Sequence, residues 1–147
     1  MIEQVKSDLT AAMRAGDRTR VDGLRLVLSA LQRAEKTVPA GEFSEADAEA
    51  VLRRERKQRL EAAESYTAAG RDDRAAAELA DVPLIEAYLP AALSEEELAA
   101  LVDGAIEETG AESMRDMGRV MGLVTARGEG RVDGAAAAAL VRARLGS

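Results

Sequence analysis

Hydrophobic positions recur at spacings of three and four along almost the whole chain, which is the period of an α-helix. The first stripe stops at Gly16 and consists of Ile2, Val5, Leu9 and Met13. A second stripe, from Val21 to Leu31, predicts a helix that is buried on more than half of its circumference. No segment alternates clearly with the period of a β-strand. The pattern therefore predicts an all-α protein.

Turn and capping residues divide this pattern into seven predicted helices. Four of them precede a hinge at Pro90, and three shorter ones follow it. We therefore expect two domains, an N-terminal helical domain over residues 1–92 and a small C-terminal three-helix domain over residues 93–147. Pro83 falls inside the fourth helical pattern, where it predicts either a kink or a helix restart capped by Asp81.

Residues of the capping type mark the expected helix starts. Ser44 is expected to cap the third helix. Ser94 and Glu97 have the spacing of a capping box, which makes the fifth helix the clearest start in the chain. Ser113 is expected to open the sixth helix and Asp133 the seventh.

Composition excludes several classes of enzyme. The chain has no histidine and no cysteine, which excludes a Ser-His-Asp triad, a thiol nucleophile and disulfide bonds, and argues against structural zinc. The remaining residues form no recognisable catalytic arrangement, so we predict no catalytic residues, no metal and no cofactor. The N-terminal residues lack the apolar run of a signal peptide, and no stretch is long enough to span a membrane. We therefore expect a cytoplasmic protein.

Charge is distributed unevenly along the chain. In total, 20 basic and 27 acidic residues give a net charge of −7, which disfavours non-specific approach to a polyanion. Residues 94–112 contain seven acids and no base, whereas residues 113–147 contain six arginines and three acids, a net charge of +3. A contact with a polyanion is therefore expected in the last part of the chain.

Glycine and arginine are concentrated in that basic part. Gly118 and Gly122 are four residues apart and share one helix face, where they allow a neighbouring backbone or a ligand to approach closely. Spacing alone favours a helix–helix contact. The following turn, from Arg127 to Gly134, combines flexible backbone with two arginines before a helix N-terminus. Such a turn suits either a mobile loop or a phosphate contact.

A second basic run, from Arg53 to Arg59, lies in the predicted third helix. Arg53, Arg56 and Lys57 share one face at spacings of three and four, which suits a phosphate backbone. Such a run is more often a solvated helix face, and spacing favours that simpler interpretation. These three residues form a secondary candidate surface for RNA.

Several short motifs follow one another over essentially the whole chain. They are Lys57-Gln58-Arg59, Tyr66 with Ala69-Gly70-Arg71, Glu86-Ala87-Tyr88-Leu89-Pro90, Leu93-Ser94-Glu95-Glu96-Glu97-Leu98, Met117-Gly118-Arg119-Val120-Met121-Gly122, Gly130-Arg131 and Asp133-Gly134. In this order they resemble the GatB/YqeY family, and the chain is most similar to its stand-alone YqeY-like members. The resemblance implies an all-α protein whose C-terminal domain is similar to the tail of the B subunit of the tRNA-dependent amidotransferase. In that enzyme the tail helps to hold tRNA, while the catalytic sites lie elsewhere.

The resemblance also implies which residues face tRNA. They are Gly118, Arg119, Gly122, Arg127, Gly130 and Arg131. The chain departs from the family's pattern at Ala126, where relatives often have proline, and at Glu129, where relatives often have lysine. The first difference loosens the turn, and the second places an anion beside the expected phosphate site.

Three functions are compatible with this sequence. The first is a non-catalytic tRNA- or RNA-binding accessory protein that contacts the phosphate backbone through the C-terminal domain; DNA is not expected as a partner. The second, implied by the resemblance, is a subunit or relative of a glutamine-dependent tRNA amidotransferase, a carbon–nitrogen ligase, although the composition opposes independent catalysis. The third is a helical protein-interaction module, docking through Arg53–Arg59 or residues 94–112, whose expected partner is an aminoacyl-tRNA synthetase or an amidotransferase.

Overall fold

The computed structural model describes residues 1–146, which form seven α-helices, one 3₁₀ turn and no strand. The helices are α1 (Ile2–Ala15), α2 (Arg18–Glu35), α3 (Glu45–Ala68), α4 (Asp72–Glu86), α5 (Glu95–Thr109), α6 (Met117–Arg127) and α7 (Gly134–Leu145). The predicted all-α class is confirmed. Contacts divide the chain into two compact units, an N-terminal unit over Met1–Leu89 and a C-terminal unit from Pro90 onward.

The N-terminal unit is built around α2, for which the sequence predicted burial on more than half of the circumference. Its core includes the fully buried side chains Leu24 and Leu31 of α2 and Leu52 of α3. Gly23 lets α4 approach α2 closely, because a Cβ at this position would overlap the side chain of Leu84. Beyond Leu52, α3 continues as an antiparallel hairpin with α4 that adds little to the core.

Helix α4 runs without interruption through Pro83, so the helix restart that was one of the two expectations for this position does not occur. Asp81, which would have capped the restart, instead lies 3.9 Å from the guanidinium Nε of Arg59 on α3. Two residues after Pro83, Ile85 is 1 % exposed in the core. Burial of this side chain is worth about 2 kcal/mol, which offsets part of the cost of about 3 kcal/mol that a proline carries inside a helix.

The C-terminal unit is a three-helix arrangement of α5, α6 and α7 around its own small aliphatic core. Its fully buried members are Val102, Ala105, Val120, Val124, Ala137 and Val141. The caps expected for α5 and α7 are present. Ser94 and Glu97 form a capping box at the start of α5, and Asp133 accepts hydrogen bonds from two backbone amides at the start of α7.

The start of the sixth helix differs from the expectation. Ser113 precedes a 3₁₀ turn, Met114–Asp116, and its side chain makes no capping hydrogen bond. Helix α6 itself begins at Met117. The backbone N–H of Glu112, before this turn, donates to the carboxylate of Asp116 at 3.1 Å. Asp116 therefore organises this entry to α6 in the place that the sequence assigned to Ser113.

Candidate functional site

Three of the residues expected to face tRNA lie on the outer face of α6. Val120 and Val124 point into the core and are fully buried, which turns Gly118, Arg119 and Gly122 outward. A Cβ built on either glycine meets no atom within 4 Å. The two glycines therefore do not mediate a helix–helix contact among the described residues of the C-terminal unit, where the interpretation that spacing favoured is wrong.

An exposed glycine in a helix has an energetic cost. Relative to alanine, glycine destabilises a helix interior by about 1 kcal/mol, and the cost is smaller in the first turn, where Gly118 lies. Gly122 lies in the interior of α6, and no neighbouring group in the described part of the C-terminal unit uses the space that its missing side chain leaves. The glycine face of α6, which we define as Gly118, Arg119 and Gly122, is thus open to a molecule from outside.

Arg119 is held beside the glycines by Asp116. Its guanidinium donates to the Asp116 carboxylate at 2.6 Å, while 63 % of the Arg119 side chain stays exposed. The backbone N–H of Glu112 and, after it, the guanidinium of Arg119 keep the pKa of Asp116 below its ordinary value of 3.8. Exposed ion pairs of this kind contribute only about 0–1 kcal/mol, so an anionic ligand can compete for Arg119.

The turn after α6 has a different character. Gly128 is buried, and a Cβ there would overlap the side chain of Val132. Glu129 and Gly130 adopt left-handed backbone conformations with φ of 48° and 78°, and the N–H of Arg131 donates to the Gly128 carbonyl at 2.9 Å. This turn therefore has a defined hydrogen-bonded conformation that needs its glycines for internal reasons.

Arg131 connects this turn to the segment before α5. Its Nε donates to the carbonyl of Ala91 at 2.8 Å, and its own carbonyl accepts from the N–H of Leu93 at 2.9 Å. Its guanidinium also lies 4.0 Å from the carboxylate of Glu97. Arg131 thereby has a positioning role within the unit, whereas the resemblance implied that it faces RNA.

Two other C-terminal arginines are also paired with α5. Arg127 pairs with Glu108, and Arg144 pairs with Asp103. The basic segment over residues 113–147 therefore has acidic neighbours in the folded unit, because the three-helix arrangement places the acidic helix α5 against the arginines of α6 and α7. Arg115 and Arg142 are the two C-terminal arginines without an ion-pair partner within residues 1–146.

Comparison with known proteins places the chain in a family. The family model described as Yqey-like protein matches residues 2–145. The chain belongs to the Yqey-like protein family. No curated protein matches the sequence significantly. The match covers both units of this Yqey-like chain and therefore includes the glycine face.

The secondary basic surface of the Yqey-like chain is neutralised. Its three members each lie within 4 Å of a carboxylate: Arg53 at 3.8 Å from Glu49, Arg56 at 3.8 Å from Glu86, and Lys57 at 3.9 Å from Glu61. Two of these pairs have helical i,i+4 spacing, so the sequence already contained the acids that balance the run.

Two further observations bear on the chemistry available to this chain. Among the described residues, no three histidine, cysteine, aspartate or glutamate side chains are grouped so that they could hold a metal ion. None of the helices within residues 1–146 combines the length and apolar character needed to cross a bilayer.

Arg115 is an exposed candidate contact residue that the sequence interpretation missed. It lies in the 3₁₀ turn before α6, and its spacing of four from Arg119 was the available signal.

Proposed function

We propose that the protein is a non-catalytic accessory protein that binds the backbone of a folded tRNA through the glycine face of α6. The observation that supports this proposal is the open space at Gly118 and Gly122 on either side of an exposed arginine. Without side chains at these two positions, a phosphodiester strand reaches the helix surface. Arg119 is then within reach of a phosphate oxygen.

The proposal differs from the sequence hypothesis in how the contact is made. The chain carries a net charge of −7, and four C-terminal arginines are balanced by carboxylates, so long-range attraction of RNA is weak. In this proposal, RNA is held by short-range contacts at the open surface of α6 and not by long-range attraction. Base stacking has no support, because the whole chain has two tyrosines, one phenylalanine and no tryptophan.

Within this proposal, the six residues that the resemblance implied have two roles. Gly118, Arg119 and Gly122 contact the RNA backbone, and Arg115 is an additional contact. Arg127, Gly130 and Arg131 support the glycine face indirectly: the two arginines fasten α6 and the following turn to α5 and to Ala91, and Gly130 gives the turn its left-handed conformation. Loss of binding on substitution of Arg131 would therefore not identify a direct contact.

Charge reversal at the glycine face tests this proposal. Filter binding of bulk tRNA at low and physiological salt would compare the wild type with Arg115→Glu/Arg119→Glu. The matched control is Arg25→Glu/Arg142→Glu, which changes the net charge equally at two exposed arginines without ion-pair partners among the described residues. We expect the first variant to lose about tenfold or more in affinity and to show a shallower salt dependence.

The control variant should bind tRNA within about twofold of the wild type, because reversal of exposed charges away from the contact acts only through the screened overall field. Equal weakening by the two variants would contradict a localised contact. The proposal would also be wrong if the wild type bound no tRNA but recovered a synthetase or an amidotransferase in a pull-down without RNA.

A further inference from the structure

Helices α2 and α3 of the N-terminal unit leave a groove between them. Three adjoining depressions, of about 520, 360 and 340 Å³, share lining residues and therefore form one continuous groove. Each helix contributes one face at spacings of three and four, which on α2 comprises Leu26, Ser29, Ala30, Arg33 and Ala34, with Thr37 just after the helix. On α3 the lining runs from Asp47 to Gln58, a rise of about 16 Å, which is the length of three helical turns.

The floor of this groove is apolar. Ala30 and Val51 line it and are each 5 % exposed, so they form the outer boundary of the core. Leu26 is 48 % exposed at one end of the groove, and Phe43 lines the other end. A partner that binds here therefore covers the exposed side chain of Leu26 at one end and part of Phe43 at the other, over a floor that the core already buries.

The rim of the groove is basic. Arg33, Lys36 and Arg54 line it, and none of them has an ion-pair partner within the part of the chain that the structure describes. Of the acids in the lining, Glu55 pairs with Arg59 at 3.7 Å, whereas Asp47 keeps its charge and accepts from the backbone N–H of Ser44 at 3.0 Å. The lining therefore has a net positive charge, although the whole chain has a net charge of −7.

These cations contrast with their neighbours on the same helix. Arg53 and Arg56 face carboxylates, whereas Arg54, between them in sequence, points toward the groove without one. Internal ion pairing therefore neutralises one side of α3 and leaves positive charge on the groove side. The sequence analysis proposed Arg53, Arg56 and Lys57 as a basic surface. The basic residues of this region that are unpaired within residues 1–146 are instead Arg33, Lys36 and Arg54.

We infer that this groove binds an acidic amphipathic helix of a partner protein. Leu26 and Phe43 match the apolar stripe of such a helix, the length matches about three turns, and the basic rim matches acids that flank the stripe. A basic helix would be repelled by Arg33 and Arg54. An RNA strand would leave Leu26 and Phe43 uncovered, since its phosphates pair with cations and not with apolar side chains. This inference does not depend on tRNA binding by α6.

Two displayed peptide pools test the inference against the full-length protein. Both contain peptides of about 14 residues with randomised apolar residues at positions i, i+3, i+4, i+7 and i+11; one has glutamate at the polar positions and the other has lysine. Recovered peptides are then measured by fluorescence anisotropy against the wild type and Arg33→Glu/Arg54→Glu. The matched control is Arg14→Glu/Arg18→Glu, a pair of exposed arginines that also lack ion-pair partners within residues 1–146.

We expect binders from the glutamate pool alone, an affinity loss of about tenfold or more in Arg33→Glu/Arg54→Glu, and little change in the control. Leu26→Ser should also weaken binding, while leaving tRNA binding by the wild-type glycine face intact. Recovery of no binder, equal recovery from both pools, or binders that ignore Arg33 and Arg54 would overturn the inference. The inference would also be overturned if bulk tRNA displaced the peptide from the wild type through Arg33 and Arg54, as shown by loss of tRNA binding at the groove in Arg33→Glu/Arg54→Glu. The groove would then be a nucleic-acid site.

Discussion

The glycine face of α6 and the turn that follows it have similar compositions and opposite structural roles. Gly118 and Gly122 have open space where a Cβ would lie, and Arg119 between them is largely exposed. In the turn, Gly128 has no room for a Cβ, and Arg131 is bonded to the backbone at Ala91. The surroundings of each position, and not its residue type, therefore separate residues that are available to a ligand from residues that maintain the fold.

Substitution of Gly128 should give the largest effect. In Gly128→Ala the new methyl group overlaps Val132, whose branched side chain is stiff, and lies 3.1 Å from the Val124 carbonyl oxygen. We expect a loss of about 2 kcal/mol in the stability of the C-terminal unit, as is typical of overpacking. Amide hydrogen exchange at Val120 would measure it. An unchanged exchange rate would show that the turn tolerates a side chain as easily as the glycine face.

Removal of Arg131 should destabilise the C-terminal unit more than removal of Arg119, and both losses should be smaller than that of Gly128→Ala. Arg131→Ala removes a charged hydrogen bond to the Ala91 carbonyl and should cost about 1 kcal/mol. Arg119→Ala removes one exposed ion pair and should cost less than about 0.5 kcal/mol. Urea unfolding followed through the C-terminal unit would compare them. Equal losses would contradict the assignment of Arg131 to structure and Arg119 to binding.

Acid should weaken both regions slightly. The pKa of Glu97 is lowered by the backbone N–H of Ser94 and more weakly by Arg131, and the pKa of Asp116 is lowered by the N–H of Glu112 and then by Arg119. A carboxyl whose folded pKa is depressed adds stability above its unfolded pKa, and that stability is lost as the pH falls through the folded value. Stability should therefore decline below the ordinary values of 4.5 and 3.8.

Thermal unfolding between about pH 3 and pH 6 would measure this decline, and Glu97→Gln should make it shallower because its side chain no longer titrates. The same substitution leaves the share of the decline that comes from Asp116 in place. A pH dependence that is identical in the wild type and in Glu97→Gln would contradict a contribution from this carboxylate.

Local signals predicted most of the helices correctly. Gly16 ends α1 in a left-handed conformation with φ of 71°, and the capping residues Ser44, Ser94 and Asp133 make their expected hydrogen bonds. Capping depends on residues within one turn of each other, so the sequence contains the whole signal. The continuation through Pro83 depends on the burial of a side chain further along α4, which is a tertiary effect.

The state of the arginines was less accessible from sequence. The pairs of Arg127 with Glu108 and of Arg144 with Asp103 join residues 19 and 41 positions apart. They form only because three short helices place α5 beside α6 and α7. For the same reason, the net charge of +3 over residues 113–147 describes a segment of the sequence and not a surface of the molecule.

The open glycines also needed the structure, because spacing alone favoured a contact with another helix. Their exposure follows from which residues of α6 the core takes, namely Val120 and Val124. A hydrophobic pattern indicates that inward face, but it does not indicate whether a neighbour covers the outward face. The proposed contact with tRNA therefore depends on the open space at Gly118 and Gly122.

The most direct measurement is a comparison of Gly118→Ala/Gly122→Ala with Gly104→Ala, a glycine in the interior of α5 whose Cβ would also meet nothing within 4 Å. Both variants should gain about 0.5–1 kcal/mol in stability, because alanine favours the helix. The double variant should nevertheless lose about tenfold in tRNA affinity, whereas Gly104→Ala should bind like the wild type. A stabilised double variant that binds tRNA as tightly as the wild type would contradict the central claim.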